Sequence, residues 1–197
     1  MTGKLFAAAA AGLAIAAAAG GYASAEMMGS MSHEGMDHTV MVGGAAMYPT
    51  KTIVDNAVNS KDHTTLVAAV KAAGLVDTLR GPGPFTVFAP TNAAFAKLPA
   101  GTVDTLVKPE NKATLTKVLT YHVLVGKMSA HDLMAKAKAN GGKAALKTVE
   151  GEMLTAQLAG DGGLWLLDAK GGKSHVTIAD VNQSNGVIHV VDTVLMP

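Results

Sequence analysis

The chain contains no cysteine. It can form no disulfide, offers no thiol nucleophile and has no thiolate for a metal. Aromatic side chains are scarce, at 4% of the residues, and much of the apolar fraction is alanine. An excess of one charge is also missing: 16 basic residues face 15 acidic ones. A balanced chain has no strong field to draw it to nucleic acid. Catalytic signatures are absent too. There is no HExxH, no phosphate-cradling glycine loop and no dinucleotide fingerprint. Ser60, Ser129, Ser174 and Ser184 stand at the ends of expected elements, where capping and turn roles are ordinary, and none lies in a nucleophile elbow. His122, His131, His175 and His189 are scattered without metal-ligand spacing. An enzyme is therefore the last of the readings weighed.

What is present begins with a leader. Lys4 precedes an alanine-rich apolar run from Leu5 to Gly21, and Ala23-Ser24-Ala25 is a small-x-small cleavage site before Glu26. Residues 1–25 read as a secretory signal peptide. The run is short and only mildly hydrophobic for a membrane anchor, and no cysteine follows it for lipid attachment. The expectation is an exported protein, periplasmic or extracellular, that does not span the membrane once the signal is removed.

Residues 26–47 form a separate zone, rich in methionine, glycine and histidine, with no helical or strand period. It reads as a flexible arm. Thioether and imidazole groups suit copper. Met28, Met31, His33, Met36 and His38 are dense enough to surround one ion. The plainer reading is a low-complexity linker in which methionine is incidental, and no cofactor is then required.

Tyr48-Pro49 marks the expected edge of a single domain, 48–197. Short helices come first. Thr52 or Asp55 starts one. Asp62 caps a second, His63 to Ala73, which Gly74 ends. Pro109 opens a helix whose Leu115, Val118, Leu119 and His122 share one face. Ser129 caps another, Ala130 to Ala139. Strands follow: Ala145 to Val149, Met153 to Leu158, Leu164 to Asp168, His175 to Val181 and Gly186 to Leu195. Asn185-Gly186 signals a hairpin between the last two. Helices early and strands late predict an α+β fold with a largely antiparallel sheet.

One stretch organises the rest. In PFTVFAPTNAAF, Phe85, Val87 and Ala89 point one way along a strand, Thr86 and Phe88 the other. Pro90 ends the strand. Thr91 and Asn92 stand where a helix N-cap is wanted, and the helix continues through Phe95. Such a unit has to be covered on both sides.

Three blocks, in this order and spacing, resemble a fasciclin domain: PFTVFAPTNAAF (Pro84 to Phe95), LTYHVL (Leu119 to Leu124) and NGVIHVVDTVLMP (Asn185 to Pro197). The positions that carry the motif are Phe85, Phe88, Pro90, Thr91, Asn92, Phe95, Asn185, Gly186 and His189. The resemblance runs from about Tyr48 to Pro197, as in a single-domain secreted bacterial member. It implies a wedge of N-terminal helices packed on a β-sandwich. It also implies adhesion to surface or matrix material, as in a biofilm, and no catalysis. The partner would be a cell-surface or extracellular protein or a polysaccharide. In animal members a tyrosine-histidine pair flanked by branched apolar residues is implicated in integrin binding, and it maps onto Tyr121 and His122. A second motif maps onto Asp180 and Val181, with valine where the family has isoleucine. His122, on the apolar stripe of its helix, is itself expected at the edge of the core, bonded through one ring nitrogen. Tyr121 is expected half exposed.

Overall fold

The chain is seen as a computed structural model that describes residues 39–160 and 162–197. The expected leader and all of the arm before residue 39 lie outside the described residues.

The first elements correct the expected domain edge. Val40–Val42 (β1) and Ala45–Met47 (β2) pair as an antiparallel hairpin. Gly43 and Gly44 form its turn, both with positive φ, at 57° and 75°. Two successive left-handed residues are what a two-residue hairpin needs, and glycine adopts them without steric cost. Val42 and Met47 are buried in the main core. The glycine pair that reads as linker is thus a tight turn, and Met47 acts as a core hydrophobe. The domain begins before Tyr48, and the arm is correspondingly shorter.

Short helices follow. Ile53–Ala57 (α1) is capped by Thr52, whose hydroxyl accepts the Asp55 N–H at 3.3 Å. Thr64–Ala73 (α2) follows a 3-10 turn and ends at Gly74, which is left-handed at φ 74°. Val76–Arg80 (α3) leads to the strand Phe85–Pro90 (β3). Asn92–Ala96 (α4) and Thr102–Leu106 (α5) precede Lys112–Tyr121 (α6). The chain then turns at His122 into Val123–Val125 (β4), a strand that the helical periodicity of the preceding residues conceals. Ala130–Ala139 (α7) has the expected Ser129 cap, with Asp132 completing a capping box. The remaining strands are Lys143–Lys147 (β5), Met153–Leu158 (β6), Leu164–Leu167 (β7), Lys173–Gln183 (β8) and Gly186–Val191 (β9).

Seven strands form one sheet in the order β4-β3-β9-β8-β7-β6-β5. Every neighbouring pair is antiparallel except β3 and β9, which run parallel. The sheet curls until its ends nearly meet. Leu124 of β4 bridges to Thr148 just past β5, and the Val149 N–H donates to the Val123 carbonyl at 2.8 Å. The α+β wedge is thus present, with its sandwich made by one wrapped sheet.

Period-two alternation along β3 feeds two cores. Val87 and Ala89 join the helical core with Ile53, Leu66 and Leu119. Phe88 faces the barrel core with Leu133, Leu154, Leu166 and Leu195. A strand covered on both faces loses the polar-out half of its pattern, which is why β3 and β9 read as nearly continuous apolar runs. Thr86 in β3 and His189 in β9 are the exceptions. Thr86 is fully buried, and its hydroxyl donates to the Gly126 carbonyl at 2.6 Å while accepting the Met128 N–H at 2.9 Å.

The strand-corner-helix unit is tied down from outside. Thr91 caps α4 by accepting the Ala94 N–H at 3.2 Å. Asn92 instead reaches back to α2: its Oδ1 accepts the Thr65 N–H at 3.0 Å, and its Nδ2 donates to the Lys61 carbonyl at 2.8 Å. Asp62, expected to cap α2, makes no such bond, and the orphan donor is satisfied across the fold.

Candidate functional site

The α6–β4 junction carries the tyrosine-histidine pair. Tyr121 is 0% exposed, against the expectation of half exposure. The reason lies in β4: once the chain turns back into the sheet after His122, the Tyr121 side chain is enclosed in the barrel core. The Tyr121 hydroxyl donates to the Met153 carbonyl at 3.0 Å and accepts the Ala169 N–H at 3.1 Å, joining β6 to the β7–β8 turn. Burial raises its pKa above the ordinary phenol value.

His122 is also buried, and both ring nitrogens are engaged rather than one. Nδ1–H donates to the Val118 carbonyl at 2.8 Å, and Nε2 accepts the Leu195 N–H at 3.0 Å. This arrangement requires the neutral ring with its proton on Nδ1. Burial holds its pKa down to about 4. The ring closes the C-terminal segment against α6 and has no valence left for a substrate. Its flanking Leu119, Val123 and Leu124 are buried as well.

Asp180 and His189 form a second knot. Asp180 sits in a bulge of β8 with φ 57°, a left-handed conformation that aspartate tolerates better than most residues. The bulge aims the Asp180 N–H at His189 Nδ1, 3.2 Å away. Asp180 Oδ1 accepts the Ala130 N–H at 2.8 Å, at the start of α7, where a carboxylate also meets the positive end of the helix. His189 Nε2–H donates to the Met128 carbonyl at 2.9 Å, and burial pushes its pKa down. The Phe88 and His189 rings stack at 5.7 Å between centroids. Val181 is buried in the helical core.

The expected contact residues therefore meet inside the fold. Phe88 N–H donates to the His122 carbonyl, Phe88 stacks on His189, and His189 receives Asp180. Tyr121, His122 and Val181 shape the surface above them without reaching it, and Asp180 is half-buried. Of the remaining motif residues, Asn185 and Gly186 close the β8–β9 turn against Phe85, whose N–H donates to the Asn185 carbonyl at 3.0 Å. Phe95 and Pro90 are buried in and beside the helical core.

A cavity of about 70 Å³ lies between the helices and β3, lined by Ile53, Leu66, Val70, Leu79, Val87 and other apolar side chains. Only His122 brings an imidazole to its border, and that ring is fully bonded elsewhere. Among the described residues, no group of three or more His, Asp or Glu side chains converges as metal ligands would. Met28, Met31, His33, Met36 and His38 lie outside the described residues, and copper binding by them rests on the sequence alone. Among the described residues, no helix is long and apolar enough to cross a membrane.

The residues missed by sequence reasoning are backbone partners, the Met128 carbonyl and the Leu195 N–H, and the outward face of β5–β8 around Trp165. The face was legible as an alternation: Lys143 and Lys147, Thr155 and Gln157, Trp165, then Lys173 and His175 occupy the outward positions of successive strands.

The comparisons agree with this architecture. The Fasciclin domain model matches residues 61–197. The chain belongs to the fasciclin domain family. It is 48% identical over 164 residues to protein sll1483 of Synechocystis, covering 83% of each chain. It is 34% identical over 194 residues to the immunogenic protein MPB70 of Mycobacterium bovis, covering 96% of this chain and 85% of that one. Among solved structures it is similar in fold to a FAS1 domain pair from the insect cell adhesion molecule Fasciclin I, with a TM-score of 0.67 at 20% identity. That match covers 76% of this chain and 52% of the pair.

Proposed function

We propose that the chain is an exported binding module that attaches to cell-surface or matrix material, as in a biofilm, and carries no catalytic centre. The observation that carries this reading is the saturation of the motif side chains. Tyr121, His122 and His189 are buried and hold two hydrogen-bond partners each, and the half-buried Asp180 is bound to the start of α7. A general base needs a free lone pair within reach of substrate. Neither imidazole has one, and the Tyr121 hydroxyl is enclosed in the core, so their chemistry serves to hold a surface in shape. The fold similarity to a cell adhesion molecule supports the class of function, and the leader supports export.

Beads coated with the folded chain and beads coated with an inert protein would be compared for retention on live cells and on cell-free matrix. Saturable retention of the first alone is expected. Equal retention of both would overturn the reading.

A further inference from the structure

The outer face of β5–β8 is unlike the rest of the surface. Cross-strand register lines up Lys143 with Gln157, Gln157 with Trp165, and Trp165 with His175 in one row across four strands. The next row sets Leu167 beside Lys173. Trp165 is the single tryptophan of the chain. It lies half-buried on this face, its ring tilted against His175 at 4.9 Å. Beside it runs an open groove of about 440 Å³, bounded by Gln157, Leu158, Gly160, Trp165 and Lys173.

The face carries charge of one sign. Lys143, Lys147 and Lys173 are exposed, and no outward position on β5, β6, β7 or the paired stretch of β8 holds a carboxylate. None of the three ammonium groups is in an ion pair among the described residues, although Lys97 and Lys117 elsewhere are. Among the described residues, three positive charges without an ion pair stand around an aromatic plate and an amide, and together they form a specific chemical demand. The ligand must offer a flat apolar face for the indole, hydroxyls for Gln157 and carboxylates for the lysines.

We propose that this face binds an anionic polysaccharide built of uronic acids, one pyranose ring resting on Trp165 with its carboxylate at Lys173. The axial C–H groups of a pyranose make one ring face apolar enough to lie on an indole, whose π surface is electron-rich. Repeated carboxylates along the polymer meet Lys143 and Lys147 on the flanking strand. Nucleic acid is disfavoured by the same inventory. The chain's net charge is only +1 and its single arginine, Arg80, is paired with Asp55 on another part of the fold. The proposal rests on the adhesive reading and names its partner class.

The test titrates the chain with polygalacturonate, neutral dextran and single-stranded DNA, reading tryptophan fluorescence, which here reports Trp165 alone. Binding of polygalacturonate with a blue shift is expected, weakening as salt rises from about 0.05 M to about 0.5 M. Trp165→Ala should lower affinity about tenfold in an electrophoretic retardation assay. Lys173→Gln keeps the fluorophore and should weaken binding while flattening its salt dependence. Thermal melts confirm that both variants fold. Equal response to dextran, equal or tighter binding of DNA, or unchanged affinity in Lys173→Gln would each overturn the proposal. Attachment to cells that survives Trp165→Ala would overturn this site and leave the adhesive reading standing. Polygalacturonate binding without attachment to cells or matrix would support the site and sink the adhesive reading.

Discussion

Asn185 Oδ1 accepts the backbone N–H of Ile53 at 3.0 Å, joining residues 132 positions apart. Its Nδ2 donates to the carbonyls of Leu79 and Gly81 at 2.7 and 3.0 Å. One side chain in the β8–β9 turn thus satisfies the start of α1 and the end of α3. Asn185→Ala leaves those groups unpaired beneath the surface. The expected loss is about 2–4 kcal/mol of unfolding free energy, measured by urea titration. A loss below about 1 kcal/mol would show that water replaces the amide. Gly186 cannot be tested by the same logic, because a Cβ there would stand 2.1 Å from the Phe85 carbonyl oxygen.

Phe88 is fully buried, stacks on His189 and faces the barrel core. Phe88→Ala removes a large ring from a closed site. The expected destabilisation is about 3–5 kcal/mol by chemical denaturation. A shift under about 1 kcal/mol would mean that the barrel core collapses around the missing ring.

His122 makes the protein sensitive to mild acid. Its imidazole ordinarily titrates near 6.5, and burial holds it down at about 4 in the folded chain. As pH falls through the unfolded value, the unfolded state takes up a proton that the native state refuses. Stability is therefore complete above about pH 6.5 and lost progressively toward pH 4, by about 3 kcal/mol in all. His63 and His189 are shifted in the same direction by burial and steepen the fall. Urea midpoints from neutral pH down to pH 4.5 should decline, and His122→Gln should flatten the slope. A wild-type midpoint that does not move would contradict the buried, neutral ring.

The β1–β2 hairpin belongs to the folded unit. A chain shortened to start at Tyr48 loses Val42 and Met47 from the main core. Each contributes about 1.5–3 kcal/mol of burial. The shortened chain should melt well below the full one. Equal melting temperatures would return the hairpin to the arm.

The strand-corner-helix unit was legible in the sequence because its signals are local: alternation along Phe85–Ala89, a proline stop and the Thr91 cap. The Ser129 cap and the Asn185-Gly186 turn were legible for the same reason. Asn185-Gly186 reads as turn chemistry, however, while the amide's real work lies on α1 and α3, far away in sequence. Asn92 holds α2 in the same unreadable way. β4 was hidden because Val123–Val125 continue the apolar stripe of α6, and a three-residue strand has no period of its own. β1 and β2 were hidden because each is only three residues long, too short to show a period, and the alanines of β2 and the glycines between the strands are weak strand formers. The role of Tyr121 depended on β4, so an error about one short strand became an error about exposure. The histidines needed the backbone groups of Met128 and Leu195, which no side-chain motif encodes.

The most direct measurement sets attachment against stability in one variant. His122→Gln and wild type would be compared for bead retention on matrix at a temperature below both melting transitions, with the melts recorded alongside. A lower melting temperature with retention within about twofold of wild type is expected, since the ring is buried and acts on the fold. Unchanged melting with lost retention would place His122 in the contact itself and contradict the division between a buried motif and an outer binding face.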